Sequence, residues 1–395
     1  MKKYDFDTLI NRRGTRSTKW DVGGLLIECG MADRFDEDTI PAFTADMDFA
    51  CPTPIVEGMK KIANQQIYGY TQPGADGAYN SAIIDWHRRK YGWNIDEDQI
   101  VYMNGTINAI NRAIYSFTKP GDGIVIQKPV YSPFEMIING SGRSVENNPL
   151  VNQNGYYTMN FDDLEEKLKN PENTMMILCN PHNPVGRVWT KEEAQHVCDL
   201  CEKYGVLLVS DEIHADLTRC SISYNPIAMI PSNCRKIICT GINKTFNVAG
   251  LQCTNVIIPD KSMCEQYQKD TFEQIGPVTP TPFAIEAVIQ AYSNCDDWLD
   301  ELKEYLDENM DFVENFLRTN LPKIGFSKPE GTYIIWMDFS AYGNSEEVLH
   351  RLSKNANLVL DSGAKYGADG YIRACIPMPR VQLEEMFRRI YREFC

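Results

Sequence analysis

The chain has 395 residues, 43% hydrophobic and 24% charged. Single cores stop growing beyond roughly 250 to 300 residues, so this balance supports a folded protein of two domains. A formal charge of -15 at pH 7 excludes the basic footprint that nucleic acid or an anionic membrane surface would require. No apolar leader core follows Met1-Lys2-Lys3-Tyr4-Asp5 and no apolar run is long enough to span a bilayer, so a cytoplasmic protein with neither nucleic acid nor membrane as partner is expected.

Residues 5–20 are polar and basic with little periodicity and read as an N-terminal arm. Ile40 to Phe49 reads as a short strand entering the acidic turn of Asp46 and Asp48, and Cys51-Pro52-Thr53-Pro54 then punctuates the chain at a domain transition. A helix is expected over 54–65, followed by the aromatic loop Ile67-Tyr68-Gly69-Tyr70-Thr71 and a second helix over 78–91. From Ile100 the pattern is strand, tight turn at Gly105, then helix to about Phe117. The free amides and positive dipole end at Thr106 and Ile107 suit an anion, although one glycine before a helix, read alone, is first a plain cap.

An alternation of strand and helix follows. A strand over 123–127 leads into Lys128-Pro129-Val130-Tyr131-Ser132-Pro133, then come a helix, a hairpin-like stretch to Tyr157 and a strand over 175–179. The turn-rich loop Asn180-Pro181-His182-Asn183-Pro184-Val185-Gly186 precedes a capping box, Thr190 with Glu193, that opens a helix ending near Gly205. This is the unit of a parallel sheet. The next strand, over 206–210, delivers Asp211, Glu212 and His214 at its carboxyl end, the edge where open parallel sheets bind ligands.

The apolar run Ile237-Ile238-Cys239 reads as a buried strand and leads through Thr240 and Gly241 into a polar turn carrying Lys244. Burial would lower the pKa of that amine and leave it nucleophilic toward a carbonyl; read alone, it is first a lysine with its head in water. Convergence with Asn183, Asp211 and His214 favours the buried reading. Amphipathic helices are expected over 280–293 and 296–319, the second linking a larger domain to a smaller one. A strand over 331–338, a helix over 345–356 and a strand over 371–376 carrying Arg373 follow. The thirteen cysteines are scattered through apolar runs and read as reduced core residues. Cys198 and Cys201 lie in a predicted helix with no second pair, so no metal site is expected.

Taken together, Asn11-Arg12-Arg13-Gly14-Thr15, Ala45-Asp46-Met47-Asp48-Phe49, Asn180 to Gly186, Ser210-Asp211-Glu212-Ile213-His214-Ala215-Asp216-Leu217 and Lys244-Thr245-Phe246-Asn247 resemble the fold type I enzymes that use pyridoxal 5'-phosphate. The chain resembles class I/II aminotransferases over essentially its whole length, and most of all their cystathionine β-lyase and cysteine-conjugate carbon–sulfur lyase branch. The resemblance implies an α/β fold: a large domain, 51–285, with a mostly parallel seven-stranded sheet between helices, a small C-terminal α/β domain, 286–395, and residues 1–50 as an arm and part of the small domain. It implies that Lys244 carries the cofactor and serves as base, that Asp211 faces the pyridine nitrogen, and that Asn183 and His214 lie by the ring oxygen with Tyr131 on the ring face. Gly105, Thr106 and Ile107 would hold the phosphate, and Tyr70 would reach the phosphate of a neighbouring subunit in a homodimer with shared sites. Arg373 would take the substrate α-carboxylate, with Asp46 and Met47 also at the substrate.

Three departures accompany the resemblance. Gly241 stands where many relatives place serine, so a phosphate contact is missing or supplied by Thr240. Gln252 stands where aspartate aminotransferases have an arginine, which the lyase branch also lacks. Extra residues separate Arg373 from the Pro379-Arg380 pair. The expected reaction is β-elimination from cystathionine or a related cysteine S-conjugate. The alternative is transamination of an amino acid, and a third reading is a cofactor-binding regulatory protein acting through a partner.

Overall fold

In this computed structural model, which describes residues 3–395, a seven-stranded sheet carries the candidate site; Met1 and Lys2, which open the stretch expected to lack a leader, lie outside the described residues. Its strands in chain order are β1 (Ile100–Asn104), β2 (Gly123–Ile126), β3 (Ser144–Asn147), β4 (Asn173–Cys179), β5 (Leu207–Asp211), β6 (Lys236–Thr240) and β7 (Cys253–Ile257). Across the sheet they run β1-β7-β6-β5-β4-β2-β3. Neighbours from β6 to β3 are parallel, and β7 is antiparallel to both β1 and β6. The central strands are buried on both faces, which is why they appear in the sequence as unbroken apolar runs.

The helix α1 (Thr106–Phe117) lays Ala109, Ile110, Ala113 and Ile114 against the face formed by Met175, Ile177, Leu207, Val209 and Ile237. The opposite face receives Ala194, Val197, Cys198 and Cys201 of α2 (Lys191–Tyr204). That helix starts at the expected capping box, with the Glu193 amide donating to Thr190 Oγ1 at 3.2 Å and the Thr190 amide to Glu193 Oε2 at 2.9 Å. It stops at Gly205, whose φ of +70° closes the left-handed cap. Cys198 and Cys201 are free thiols fully inside this packing.

The 25-residue helix α3 (Asp296–Asn320) serves two cores. Trp298, Leu299, Leu302 and Leu306 join the cluster behind the site, while Met310, Val313 and Leu317 join the second. This second core is covered by an antiparallel sheet of β8 (Gly325–Phe326), β9 (Ile334–Asp338), β10 (Asp361–Ser362) and β11 (Tyr371–Cys375), ordered β8-β9-β11-β10.

Two elements are shorter than the sequence pattern implies. The strand expected from Gly331 begins at Ile334, because Thr332 has φ of +71° and breaks the extended run. The strand expected from Ile40 ends at Pro41, paired in parallel with Leu358–Val359. Beyond it the backbone is taken over by side chains. Asn247 Oδ1 accepts from the Met47 amide at 3.0 Å, and Asn247 Nδ2 donates to the carbonyls of Met47 and Phe49 at 3.1 and 2.8 Å.

Gly241 joins β6 to the lysine turn where the backbone passes close to the start of β7: a Cβ there would lie 2.5 Å from the Cys253 carbonyl oxygen. This accounts for the missing serine. Gly241→Ser should lower stability by roughly 1 to 3 kcal/mol through overpacking against rigid backbone, read as a lower urea midpoint. An unchanged midpoint would show that β7 can give way.

Candidate active site

The residues expected to converge lie where the parallel strands end. Asp211 is the last residue of β5 and pairs with Cys179 of β4 and Cys239 of β6, so it occupies the middle of the edge. Asn183 follows β4, Tyr131 follows β2, Lys244 follows β6 and α1 begins just after β1. Because β7 runs the other way, its beginning rather than its end lies at this edge, and Gln252 enters there. These residues line one cavity of about 210 Å³, together with Ala45, His214 and Asn243.

Lys244 is half-buried, and the surface it keeps belongs to the cavity wall. Its Nζ donates to the Ala45 carbonyl at 2.8 Å. Burial lowers its pKa below the usual lysine range, the Arg373 charge lowers it further, and Asp46 and Asp211 partly oppose the shift. Asp211 moves the other way. Burial raises its carboxyl to about 7 against the opposing effects of the Ile213 amide, a 3.2 Å donor, and of Lys244. The pair therefore presents an amine biased toward its neutral form and a carboxyl short of positive partners.

His214 is buried with its ring edge-on to Tyr333 at 5.8 Å, and burial followed by the charges of Lys244 and Arg373 holds it neutral. Its Nδ1 and Asn183 Oδ1 are buried without protein partners. Tyr131 lines the cavity beside Phe134, ring centroids 5.7 Å apart, and burial raises its hydroxyl pKa.

At the opposite end Gly105 has φ of +99°, and a Cβ there would fall 2.7 Å from Gln252 Oε1. The glycine thus lets the amides of Thr106 and Ile107 open α1 toward the cavity, with Thr106 Oγ1 anchored 3.1 Å from Thr254 Oγ1.

Five expected residues, Arg373 among them, are not in the cavity lining. Thr240 is one step along β6 from Cys239, so strand alternation turns it to the other face, where it lines a small separate cavity with Tyr224 and Glu212. It therefore does not replace the missing serine. Asp46 is engaged by Arg12 NH2 at 2.6 Å, and Met47 is fully buried in the core, so their side chains do not line the cavity. Their segment contributes the neighbouring Ala45 carbonyl instead. Tyr70 is fully exposed in its loop, away from the cavity of its own chain.

Arg373 is buried on β11 and lies close enough to shift Lys244, His214 and Tyr131 electrostatically. Its NH1 donates to the Phe43 carbonyl at 3.1 Å, and its buried Nε has no partner.

Sequence reading missed Tyr333, whose hydroxyl shares the Ala45 carbonyl with Lys244 at 2.9 Å, because a tyrosine entering an apolar strand carries no separate signal. It also missed the clamp that fixes Ala45. Arg12 reaches Asp46, Asp48 and the Met47 carbonyl, and the fully buried Lys19 donates to Asp48 at 2.6 Å. The arm was legible only as polar.

Pyridoxal 5'-phosphate fits this lining. Its ring nitrogen would give the Asp211 carboxyl a positive partner, its ring oxygen would accept from the Nδ2 of Asn183 in the cavity wall, and its phosphate would meet the glycine-opened start of α1. Its carbonyl carbon would meet the desolvated Lys244 amine.

Residues 44–390 match the model of the family described as aminotransferase class I and II. The chain is 39% identical to cystathionine beta-lyase PatB of Bacillus subtilis over 98% of each chain, and 30% identical to protein MalY of Escherichia coli over 97% of this chain and 96% of that one. Among solved structures it is similar to cystalysin from Treponema denticola, which contains pyridoxal 5'-phosphate. The TM-score is 0.94 and the identity 32%, covering 99% of this chain and 98% of that one.

The raised Asp211 carboxyl has a consequence for the cofactor-free protein. With a folded pKa near 7 and an unfolded one near 4, the folded state holds the extra proton between those values, so stability falls as pH rises through this window. Asp211→Asn should therefore be more stable than the parent at pH 8, by about 1 to 4 kcal/mol, with the gap closing toward pH 4. A gap independent of pH, in urea unfolding of the cofactor-free proteins, would contradict this.

Proposed function

The chain belongs to the aminotransferase class I and II family, and from that premise we propose that it is a pyridoxal 5'-phosphate-dependent carbon–sulfur β-lyase. The reaction is β-elimination: a cysteine S-conjugate such as cystathionine takes up water and yields a thiol, pyruvate and ammonia. The observation that carries the chemistry is the desolvated Lys244 amine set with the buried Asp211 carboxyl around one cavity. The choice of a sulfur leaving group is supported by full-length similarity to a protein named cystathionine beta-lyase and to cystalysin, and by Gln252 in place of the arginine of aspartate aminotransferases.

When bound, the cofactor supplies an electron sink for the pair left on the substrate α-carbon. Lys244 would hold the cofactor, and its Nζ would take the substrate α-proton; a neutral amine is competent for this and an ammonium is not. Asp211 would keep the ring nitrogen protonated, and Asn183 and His214 would lie by the ring oxygen. Gly105, Thr106 and Ile107 would present amides to the phosphate, and Tyr131 would cover one ring face. Arg373 meets the α-carboxylate.

Tyr70 is assigned to the neighbouring subunit's phosphate. Its full exposure next to exposed Ile67 and Tyr68 supports a homodimer with shared sites. Thirteen free thiols, nine of them in apolar core packing, support a reducing cytoplasmic setting.

Purified enzyme given cystathionine should release thiol and pyruvate with no 2-oxo acid present, and Lys244→Ala should lower the rate by about 10³-fold or more. Turnover that requires a 2-oxo acid acceptor would identify a transaminase instead. Sedimentation equilibrium should give twice the 45.0 kDa chain mass, and a monomer that is fully active would remove the role given to Tyr70.

A further inference from the structure

The guanidinium of Arg373 is held from one side only. NH1 donates to the Phe43 carbonyl at 3.1 Å and lies 3.4 Å from Asp361 Oδ2, while the plane sits over the Tyr366 ring, 5.3 Å from its centroid. Nε is buried with no acceptor, and the hydrogen bonds the side chain makes among the described residues come from NH1. A guanidinium can offer a carboxylate either its NH1–NH2 end or its Nε–NH2 side, and here the first is committed to the protein.

Asp361 is itself fixed. Its Oδ1 accepts from Lys365 Nζ at 2.9 Å and from the Ser362 amide at 3.1 Å, and its Oδ2 accepts from the Tyr366 hydroxyl at 2.7 Å. It is buried at the start of β10, directly opposite Arg373 in the strand register. Two cations share one carboxylate, so Arg373 keeps unneutralised positive charge for an incoming anion. Tyr366 is tied by its carbonyl to the Val130 amide at 3.1 Å, next to Tyr131 in the cavity wall. The assembly thus connects the arginine on the small sheet to the wall that faces the cofactor.

We propose that Asp361 is a positioning residue for substrate: with Tyr366 and the Phe43 carbonyl it locks NH1 of Arg373 and leaves the Nε–NH2 side as the edge that receives the α-carboxylate. The inference rests on the assignment of Arg373 to that carboxylate. Asp361 does not touch the substrate; loss of its hold lets the guanidinium rotate toward other acceptors, which weakens ground-state and transition-state binding alike.

The test uses holoenzyme carrying Asp361→Asn, with Tyr366→Phe as a second variant that keeps the carboxylate and loosens it, and Arg373→Lys as control. For a cysteine S-conjugate, Asp361→Asn should raise KM roughly tenfold with kcat changed less than about threefold. Calorimetric affinity for an α-methyl amino acid, which has no α-proton to lose, should fall by the same factor. Affinity for the matching carboxamide should stay unchanged, so the preference for acid over amide drops about tenfold; Tyr366→Phe should move it in the same direction by less. Equal losses for acid and amide, or no loss for either, would overturn the proposal. If Arg373→Lys also leaves the acid preference intact, the assignment of Arg373 is what fails. If Arg373→Lys abolishes the preference and Asp361→Asn does not, only the role of Asp361 fails.

Discussion

An amine and a carboxyl desolvated at one edge of a parallel sheet, with a cavity about them, is the constraint to which the rest of the molecule answers. Left alone, each charge is costly to bury, and each group responds by shifting toward its neutral form. Such an arrangement persists in a folded chain only when the surrounding packing over-determines it, and a ligand bearing both a positive ring nitrogen and an electrophilic carbonyl relieves it.

The surroundings supply that packing from three directions. The central strands bury Asp211 between Cys179 and Cys239 and set α1 against the same face, so that its first amides open on the cavity. Gly241 lets β6 and β7 close up just before the lysine turn, and Asn247, three residues after Lys244, takes the backbone of Met47 and Phe49. The N-terminal arm then pins that segment through Arg12 and Lys19, which places the Ala45 carbonyl where both Lys244 and Tyr333 donate to it. Residues separated by some two hundred positions in the chain therefore fix the direction of one amine.

Much of this is legible in the amino-acid sequence alone. The buried strands showed as apolar runs, the start of α2 as a reciprocal cap, and the binding edge as polar residues placed at the ends of those runs: Asn183, Asp211 and Lys244. What escaped depended on information that one-dimensional patterns do not carry. Thr240 was assigned to the phosphate by proximity in sequence, and the period of the strand sends it to the opposite face. Asp46 and Met47 were placed at the substrate by their motif, whereas the acid is consumed by Arg12 and the methionine by the core. The register that sets Asp361 opposite Arg373, and the reversed direction of β7 that brings Gln252 to the site, are long-range pairings with no local signature.

The central claim is that Lys244 is the amine that meets the cofactor. Reduction of the cofactor-loaded protein with borohydride, followed by peptide mass mapping, tests it directly. Covalent pyridoxyl-phosphate mass on the peptide containing Lys244, and on no other lysine, is the predicted result. Stable mass on a different lysine, or a loaded protein from which reduction traps nothing, would contradict the account.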